Sequence, residues 1–303
     1  MTDNNTDKKR IKFAIDGDYR EFPPQSVILA SGEDAMEFVQ GQVTQDILPL
    51  KRGDAAYGFL LTQKGRVLGD LFVIHESAES FRLVSWSLGV RELTERLKSY
   101  IIADDVELVD ETAKWKGWEL GGSTAVAWGC DFVAQAGTAA MGWSVFTSSP
   151  SENFRLVTQS DPTWPASIRE GSVEDFERAR IEAGIPRVPV DLGSRDFPQE
   201  AGQEKVGVSF TKGCYLGQEV MARLATTGRI RRRLYRVGGA GAAPAEAQTV
   251  LKQGERIVGE LRSRVSDGGS GWLGLGLINL AHYDATLGVR IGEDQVVEIA
   301  EAI

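Results

Sequence analysis

From residue 249 to the C-terminal end, the chain is cut into short strand-like runs at 249–251, 255–265, 272–280, 288–291 and 295–299. Glycine and aspartate separate them at short intervals. Runs this short, punctuated this often, bury their apolar side by pairing with one another, which predicts a small antiparallel barrel or sandwich. Upstream the pattern is mixed. Residues 25–30 read as a strand. Ser31-Gly32-Glu33-Asp34 reads as a capping box with Ser31 as N-cap. The helix after it buries Ala35, Met36, Phe38 and Val39, and Gly41 interrupts it. Strands are predicted at 55–61 and 67–75, joined by a hairpin at Gln63-Lys64-Gly65-Arg66, and a further strand at 81–86. Residues 88–102 form an amphipathic helix with Leu93, Leu97 and Ile101 spaced four apart. Short strands follow at 106–109, 115–128, 141–146 and 154–158, with a helix near 131–136.

Asp161-Pro162-Thr163-Trp164-Pro165 reads as an irregular linker. Ser172-Val173-Glu174-Asp175 is a second capping box. Its helix runs through Phe176, Ala179, Arg180 and Ala183, with Gly184 as its stop and Pro186 preventing continuation. Residues 238–247, rich in glycine and alanine, read as a loop. This order gives an α+β class with a separate C-terminal all-β module.

Bulk properties remove several classes of function. A chain of 303 residues has room for two or three domains. Its net charge of −9 argues against strong nucleic-acid binding or coating of an anionic membrane. No apolar run is long enough to cross a bilayer. Residues 1–12 are polar and charged, without the apolar centre of a signal peptide, so a cytoplasmic protein with a frayed start is expected. Two cysteines make no disulfide framework and fit a reducing compartment. With two histidines far apart as well, neither a tetrahedral zinc site nor an iron–sulfur cluster held within one chain is expected. No phosphate-binding glycine loop and no internal repeat is present.

Three features carry candidate chemistry. The first is Thr211-Lys212-Gly213-Cys214-Tyr215-Leu216-Gly217-Gln218-Glu219-Val220-Met221-Ala222-Arg223. The glycines allow a turn that presents Cys214, and a helix is predicted from 217. A cysteine beside Lys212 and a helix N-terminus has its thiolate favoured, whereas a buried structural cysteine is the plain alternative. Cys130 has no basic or histidine neighbour in sequence and reads as packing. The second is Asp70, an acid inside the apolar run Val67-Leu68-Gly69-Asp70-Leu71-Phe72-Val73. Such an acid is costly to bury unless it is paired, so Asp70 lies at an edge or serves a purpose. The third is Arg229-Ile230-Arg231-Arg232-Arg233-Leu234-Tyr235-Arg236, with five arginines in eight residues. It is either the solvated face of a strand or an anion site for a polyglutamate tail, a phosphate or a short RNA contact.

Lys212-Gly213-Cys214-Tyr215-Leu216-Gly217-Gln218-Glu219 resembles the signature of the YgfZ-type folate-binding proteins, relatives of the glycine cleavage aminomethyltransferase, or T-protein. Phe38-Val39-Gln40-Gly41-Gln42-Val43-Thr44-Gln45-Asp46 is similar to that family's first helix. Arg180-Ile181-Glu182-Ala183-Gly184-Ile185-Pro186 resembles the segment whose glutamate recognises the pterin ring. Asp196-Phe197-Pro198-Gln199-Glu200-Ala201-Gly202 also resembles the family, without assignable roles.

The resemblance implies a T-protein-like three-domain ring with a central channel and a C-terminal antiparallel β-barrel. It divides the chain into a discontinuous first domain (1–50 and 160–235), an inserted domain (51–159) and the barrel (236–303). It further implies tetrahydrofolate, or a one-carbon derivative, in the channel. Glu182, Asp70, Arg223, Lys212 and Arg231 are then candidate cofactor-binding residues, and Cys214 and Asp70 the reactive groups. Iron–sulfur assembly or client proteins are the expected partners, and tRNA modification is an associated process. In the T-protein two adjacent aspartates stand where this chain has Gly69 and Asp70. That departure keeps folate binding and weighs against the alternative, a tetrahydrofolate-dependent aminomethyl- or methyltransferase.

Overall fold

The structure, a computed structural model, describes residues 17–144, 153–246 and 249–303. In chain order the first elements are β1 (Asp18–Glu21), β2 (Ser26–Ser31), α1 (Ala35–Gln42), β3 (Ala55–Leu61), β4 (Val67–Ser77), β5 (Ser80–Ser85), α2 (Val90–Lys98) and β6 (Glu107–Asp110). Then come β7 (Lys116–Gly121), α3 (Ser123–Ala136), β8 (Ala140–Ser144), β9 (Asn153–Thr158), β10 (Arg169–Glu170), α4 (Val173–Glu182), α5 (Glu204–Gly207) and α6 (Gln218–Thr227). The last strands are β11 (Arg232–Ala240), β12 (Val250–Gln253), β13 (Arg256–Ser266), β14 (Gly271–Asn279), β15 (Val289–Ile291) and β16 (Gln295–Ala302).

They form three sheets. One has the order β3-β4-β5-β2-β6, another β10-β1-β7-β9-β8, and the third closes into the barrel β11-β14-β13-β12-β15-β16. Closure removes the exposed strand edges that short β runs would otherwise leave. The first sheet buries Ile28, Leu60, Leu71, Val73 and Leu83 against Phe38 and Val39 of α1 and Leu93 and Leu97 of α2. Each such side chain, fully buried, contributes about 1.5–3 kcal/mol. The second sheet packs Leu120, Phe154 and Leu156 against Ala125 and Val126 of α3. Trp272, Leu251, Val258 and Ile278 fill the barrel.

Two apolar seams join these layers. Val27, Phe72 and Val84 of the first sheet meet Trp115, Met141 and Val157 of the second. Phe59, Leu61 and Val67 meet Ile181, Met221 and the barrel residues Leu234, Leu275 and Leu277. Buried ion pairs then key the barrel to the loops beside it. Asp196 is paired with Arg232 at 3.0 Å and Arg262 at 3.3 Å, and Glu200 with Arg232 at 2.9 Å. Arg180 of α4 donates to Asp191 at 2.7 Å and to Ser263 of β13 at 2.8 Å. The 196–202 segment, to which the sequence assigned no role, is thus a docking key.

The helix behind Ser172 starts as expected: the Ser172 hydroxyl accepts from the Asp175 amide at 3.1 Å. The first capping box does not form. Ser31 ends β2, Asp34 is the N-cap, and its carboxylate accepts from the Asp105 amide at 2.8 Å. Gly41 does not interrupt α1, which runs through Gln42. The strand expected over 115–128 stops at Gly121, because Gly122 takes φ +82° and turns the chain directly into α3. Residues 238–240 belong to β11 rather than to a loop. The expected features at 1–12, 145–146 and 247 lie outside the described residues. β2, from the block 1–50, pairs with β5 and β6 from the block 51–159, so hydrogen bonding crosses that boundary. Among the described residues no helix is long and apolar enough to cross a membrane.

Candidate functional site

β4 turns Leu71 and Val73 into the first core, which leaves Asp70 on the opposite face. There the Tyr57 hydroxyl donates to Asp70 Oδ2 at 2.9 Å. Ser87 Oγ accepts from the Asp70 amide at 2.9 Å, and Ser85 Oγ donates to the Asp70 carbonyl at 2.7 Å. Burial pushes the Asp70 carboxyl above the ordinary carboxylate range, while hydrogen bonds from Ser87 and Tyr57 and the charge of Arg155 pull it back. Burial, then the Asp70 charge, raises Tyr57 well above an ordinary phenol, so it remains a donor.

Asp70 and Tyr57 line a cleft with Phe22, Phe72, Trp86, Arg155 and the 185–188 loop. The rings form flat walls: Phe22 stacks with Trp86 at 6.2 Å, and Phe72 meets Trp86 edge-on at 6.1 Å. The Arg155 guanidinium lies 4.0 Å over Phe22. It pairs with Glu119 at 3.2 Å, and Glu119 also holds Arg20. Burial opposes ionisation of Glu119, but Arg155 and Arg20 prevail and keep its carboxyl below the usual range. Burial brings Arg155 down to about 10. Two nitrogens of this wall, Arg155 Nη1 and Arg187 Nε, are buried without a hydrogen-bond partner among the described residues. Buried donors of this kind call for a partner, which an ordered water or a ligand supplies.

Glu182 ends α4, half-buried, and is not among the residues that line this cleft. Burial raises its carboxyl, and Arg178 and Arg236 oppose the rise. Arg236 donates to the Glu182 carbonyl at 2.6 Å. The cleft therefore brings Asp70 to Arg180 and Arg187 rather than to Glu182.

Cys214 is exposed. Gly217, with φ +87°, turns the chain into α6, and a Cβ there would lie 2.7 Å from the Thr62 carbonyl oxygen. That close approach locks the cysteine loop against the β3–β4 hairpin. Gln218 Nε2 donates to the carbonyls of Lys212 and Gly213 at 3.3 and 3.4 Å. Lys212 is turned inward, contrary to its expected place beside the thiolate or a cofactor. Its ammonium donates to the carbonyls of Gln40 at 2.5 Å and of Val43 and Gln45 at 2.9 Å, which occupies all three N–H. Burial brings it down to about 8, and Asp46 opposes that.

The arginine run divides. Arg232 and Arg236 are held in ion pairs, Arg233 is half-buried, and Arg229, Arg231 and, on α6, Arg223 are exposed. Cys130 is exposed on α3, not packed as expected. Among the described residues no cluster of histidine, cysteine, aspartate and glutamate is placed to hold a metal ion. Sequence reasoning missed Tyr57, Arg155 and Arg187. Arg155 carried a readable signal, a charge inside the strand Phe154-Arg155-Leu156-Val157, the same signal that singled out Asp70.

Comparison with known proteins fits this arrangement. Residues 25–140 match the GCVT N-terminal domain, and residues 231–300 the C-terminal beta-barrel domain of CAF17. The mitochondrial iron–sulfur cluster assembly factor IBA57 of Mus musculus is 29% identical over 96% of this chain and 84% of its own length. The tRNA-modifying protein YgfZ of Photorhabdus laumondii is 30% identical over 70% of this chain and 68% of its own length. This chain belongs to the YgfZ/IBA57-type family of the aminomethyltransferase superfamily. The glycine cleavage system aminomethyltransferase T of Bartonella henselae shares the fold, with a TM-score of 0.75 at 15% identity over 94% of this chain and 85% of its own. This YgfZ/IBA57-type chain thus has the T-protein-like α+β fold with a closed six-stranded antiparallel barrel.

Proposed function

We propose that this protein is a cytoplasmic, tetrahydrofolate-binding accessory factor of iron–sulfur cluster assembly or repair that acts on its partners through Cys214. The observation that carries the folate reading is the Asp70 cleft: a half-buried carboxylate and phenol beside orphan arginine nitrogens and between aromatic walls. A pterin presents amino and ring N–H donors and a carbonyl acceptor on one flat edge, so these residues fit it. Asp70 would accept from the ring, Arg155 and Arg187 would donate to its oxygen, and Phe22, Phe72 and Trp86 would exclude water. The bound folate would supply a carrier for a one-carbon unit. The cleft holds about 60 Å³, below the ~300–1,000 Å³ of typical ligand pockets. Entry of a pterin therefore requires the cleft to widen.

Gly69 supports the accessory role over the transferase alternative. A Cβ at Gly69 would lie 2.3 Å from Leu88 Cγ, so the acid pair of the T-protein has no room here. The relatives' names support iron–sulfur assembly and, for YgfZ, tRNA modification. Cys214 supplies one exposed thiol, too few to hold a cluster, so a cluster would be cargo shared with a partner's thiols. The division into 1–50 with 160–235, 51–159 and 236–303 is part of this reading, with the folate site between the first two units, since Phe22, Arg180 and residues 185–188 come from the first and Tyr57, Asp70, Phe72, Trp86 and Arg155 from the second.

Calorimetric titration with tetrahydrofolate and its polyglutamates tests the cleft. Arg155→Gln should weaken binding about ten-fold or more, the value of a charge-assisted hydrogen bond. Glu182→Gln asks whether that carboxylate joins the pterin site, and unchanged affinity removes it. A polyglutamate advantage that fades with salt would assign Arg223 and Arg231 to the tail. Cys214→Ala should leave folate binding intact yet fail to restore iron–sulfur enzyme activity in a deletion strain. Full restoration overturns the role of the cysteine, and absence of folate binding overturns the cleft.

A further inference from the structure

A second pocket lies where the β3–β4 hairpin, the end of α2 and the cysteine loop meet. It is an open pocket of about 370 Å³, within the ~300–1,000 Å³ range of small-ligand sites. Leu61, Leu68, Leu216 and the Tyr100 ring give it an apolar lining, and Lys64 and Arg96 are its charged residues. Among the described residues neither cation has a carboxylate within ion-pair distance, although acids outnumber bases in this chain by 43 to 34. Arg96 is held in place: its guanidinium lies 4.1 Å over Tyr100, and Nη1 donates to Gln42 at 3.0 Å. Its other terminal nitrogen, Nη2, is buried without a partner among the described residues. Burial lowers the Arg96 pKa, as expected of a guanidinium lacking an anion.

We infer that this pocket binds a carboxylate carried on an apolar body, either a free aryl or alkyl acid or the C-terminal carboxylate of a partner chain. The Arg96 guanidinium and the Lys64 ammonium take the carboxylate, and the leucines and Tyr100 take the body. The C-terminal end of α2 is nearby and its dipole opposes an anion. The last carbonyls there are already engaged, by the amides of Ser99, Tyr100 and Ile101 and the Ser99 hydroxyl, which leaves the two cations in control. Leu216 stands two residues beyond Cys214, so an occupant is placed beside the cysteine loop. The inference rests on this pocket alone and not on folate binding.

The test is a ligand-observed NMR titration of the full chain with 3-phenylpropionate and 3-phenylpropionamide. A short peptide ending in Leu-Phe, with free or amidated C-terminus, is the second pair. Both acids should bind at millimolar concentration and both amides more weakly. Lys64→Gln, at an exposed position, should weaken the acids about two- to five-fold. Arg96→Gln should weaken them about ten-fold. Tighter binding of the peptide acid assigns the pocket to a partner's terminus, and tighter binding of the free acid assigns it to a small metabolite. Equal binding of acids and amides, no binding of either acid, or unchanged affinity in Lys64→Gln overturns the inference.

Discussion

Lys212 offers the sharpest test of how the cysteine loop is built. α1 ends at Gln42 and leaves its last carbonyls without helical partners. Lys212 supplies the missing donors from a distant part of the chain, reaching Gln40, Val43 and Gln45. Lys212→Met keeps most of the stem and removes the ammonium. The buried carbonyls of Gln40 and Val43 are then orphaned at ~1–3 kcal/mol each. Relief of burying a cation that the site already holds down to about 8 offsets part of that loss. A net destabilisation of about 2–4 kcal/mol follows. Urea unfolding monitored by tryptophan fluorescence reads the stability. Alkylation of Cys214 reads the loop, in a Cys130→Ala background because Cys130 is exposed as well. Stability should fall by the stated amount and alkylation should accelerate. A change below about 0.5 kcal/mol, within the range of ordinary surface substitutions, together with an unchanged alkylation rate, would refute the reasoning.

Two further outcomes follow from buried charges. Burial raises the Asp70 carboxyl, so the folded state holds this proton more tightly than the unfolded chain. Its stability cost therefore appears as pH rises through the ordinary carboxylate range to the raised folded value and persists above it. Asp70→Asn, which keeps an acceptor for Tyr57, should melt higher than wild type at pH 7, with the gap closing in acid. A variant that melts lower at pH 7 contradicts the sign. Arg232→Met leaves Glu200 and Asp196 short of a buried partner, which should cost about 3–5 kcal/mol in urea unfolding. A loss under about 1 kcal/mol, the value of an exposed pair, would mean that the key does not hold the barrel.

What the sequence disclosed depended on the range of the interaction. The barrel strands, the hairpin at 62–66 and the Ser172 cap are written in neighbouring residues, and those features stand in the fold. The strand predicted through residue 128 hid a helix, and the deciding residue was Gly122 with its positive φ. Asp70 was legible because an acid in an apolar run needs a partner. Its actual partners were not, since Tyr57 and Arg155 reach it only through strand pairing and the contact between two sheets. Lys212 misled for the same reason: its nearness to Cys214 in sequence is real, but its acceptors are about 170 residues away in the chain.

The charge balance of the cleft ties these observations to function. Arg20, Arg155, Arg180 and Arg187 gather there, and Arg20 and Arg155 share Glu119 while Arg180 and Arg187 share Glu177. Asp191 adds one more acid, bound to Arg180. Without Asp70 the four cations face three anions, so a protonated Asp70 leaves the cluster one charge positive and an ionised one balances it. Burial favours the protonated form and the arginines favour the ionised form. A ligand that donates to Asp70 while accepting from Arg155 and Arg187 satisfies both demands at once. It stabilises the carboxylate, fills the orphan donors and leaves the ion pairs intact. With Asp70 ionised, an anion would satisfy the arginines but be repelled by Asp70, and a cation would do the reverse. A neutral, flat heterocycle with donors beside a carbonyl would meet no opposing charge when Asp70 is ionised, which is the state the proposed pterin requires.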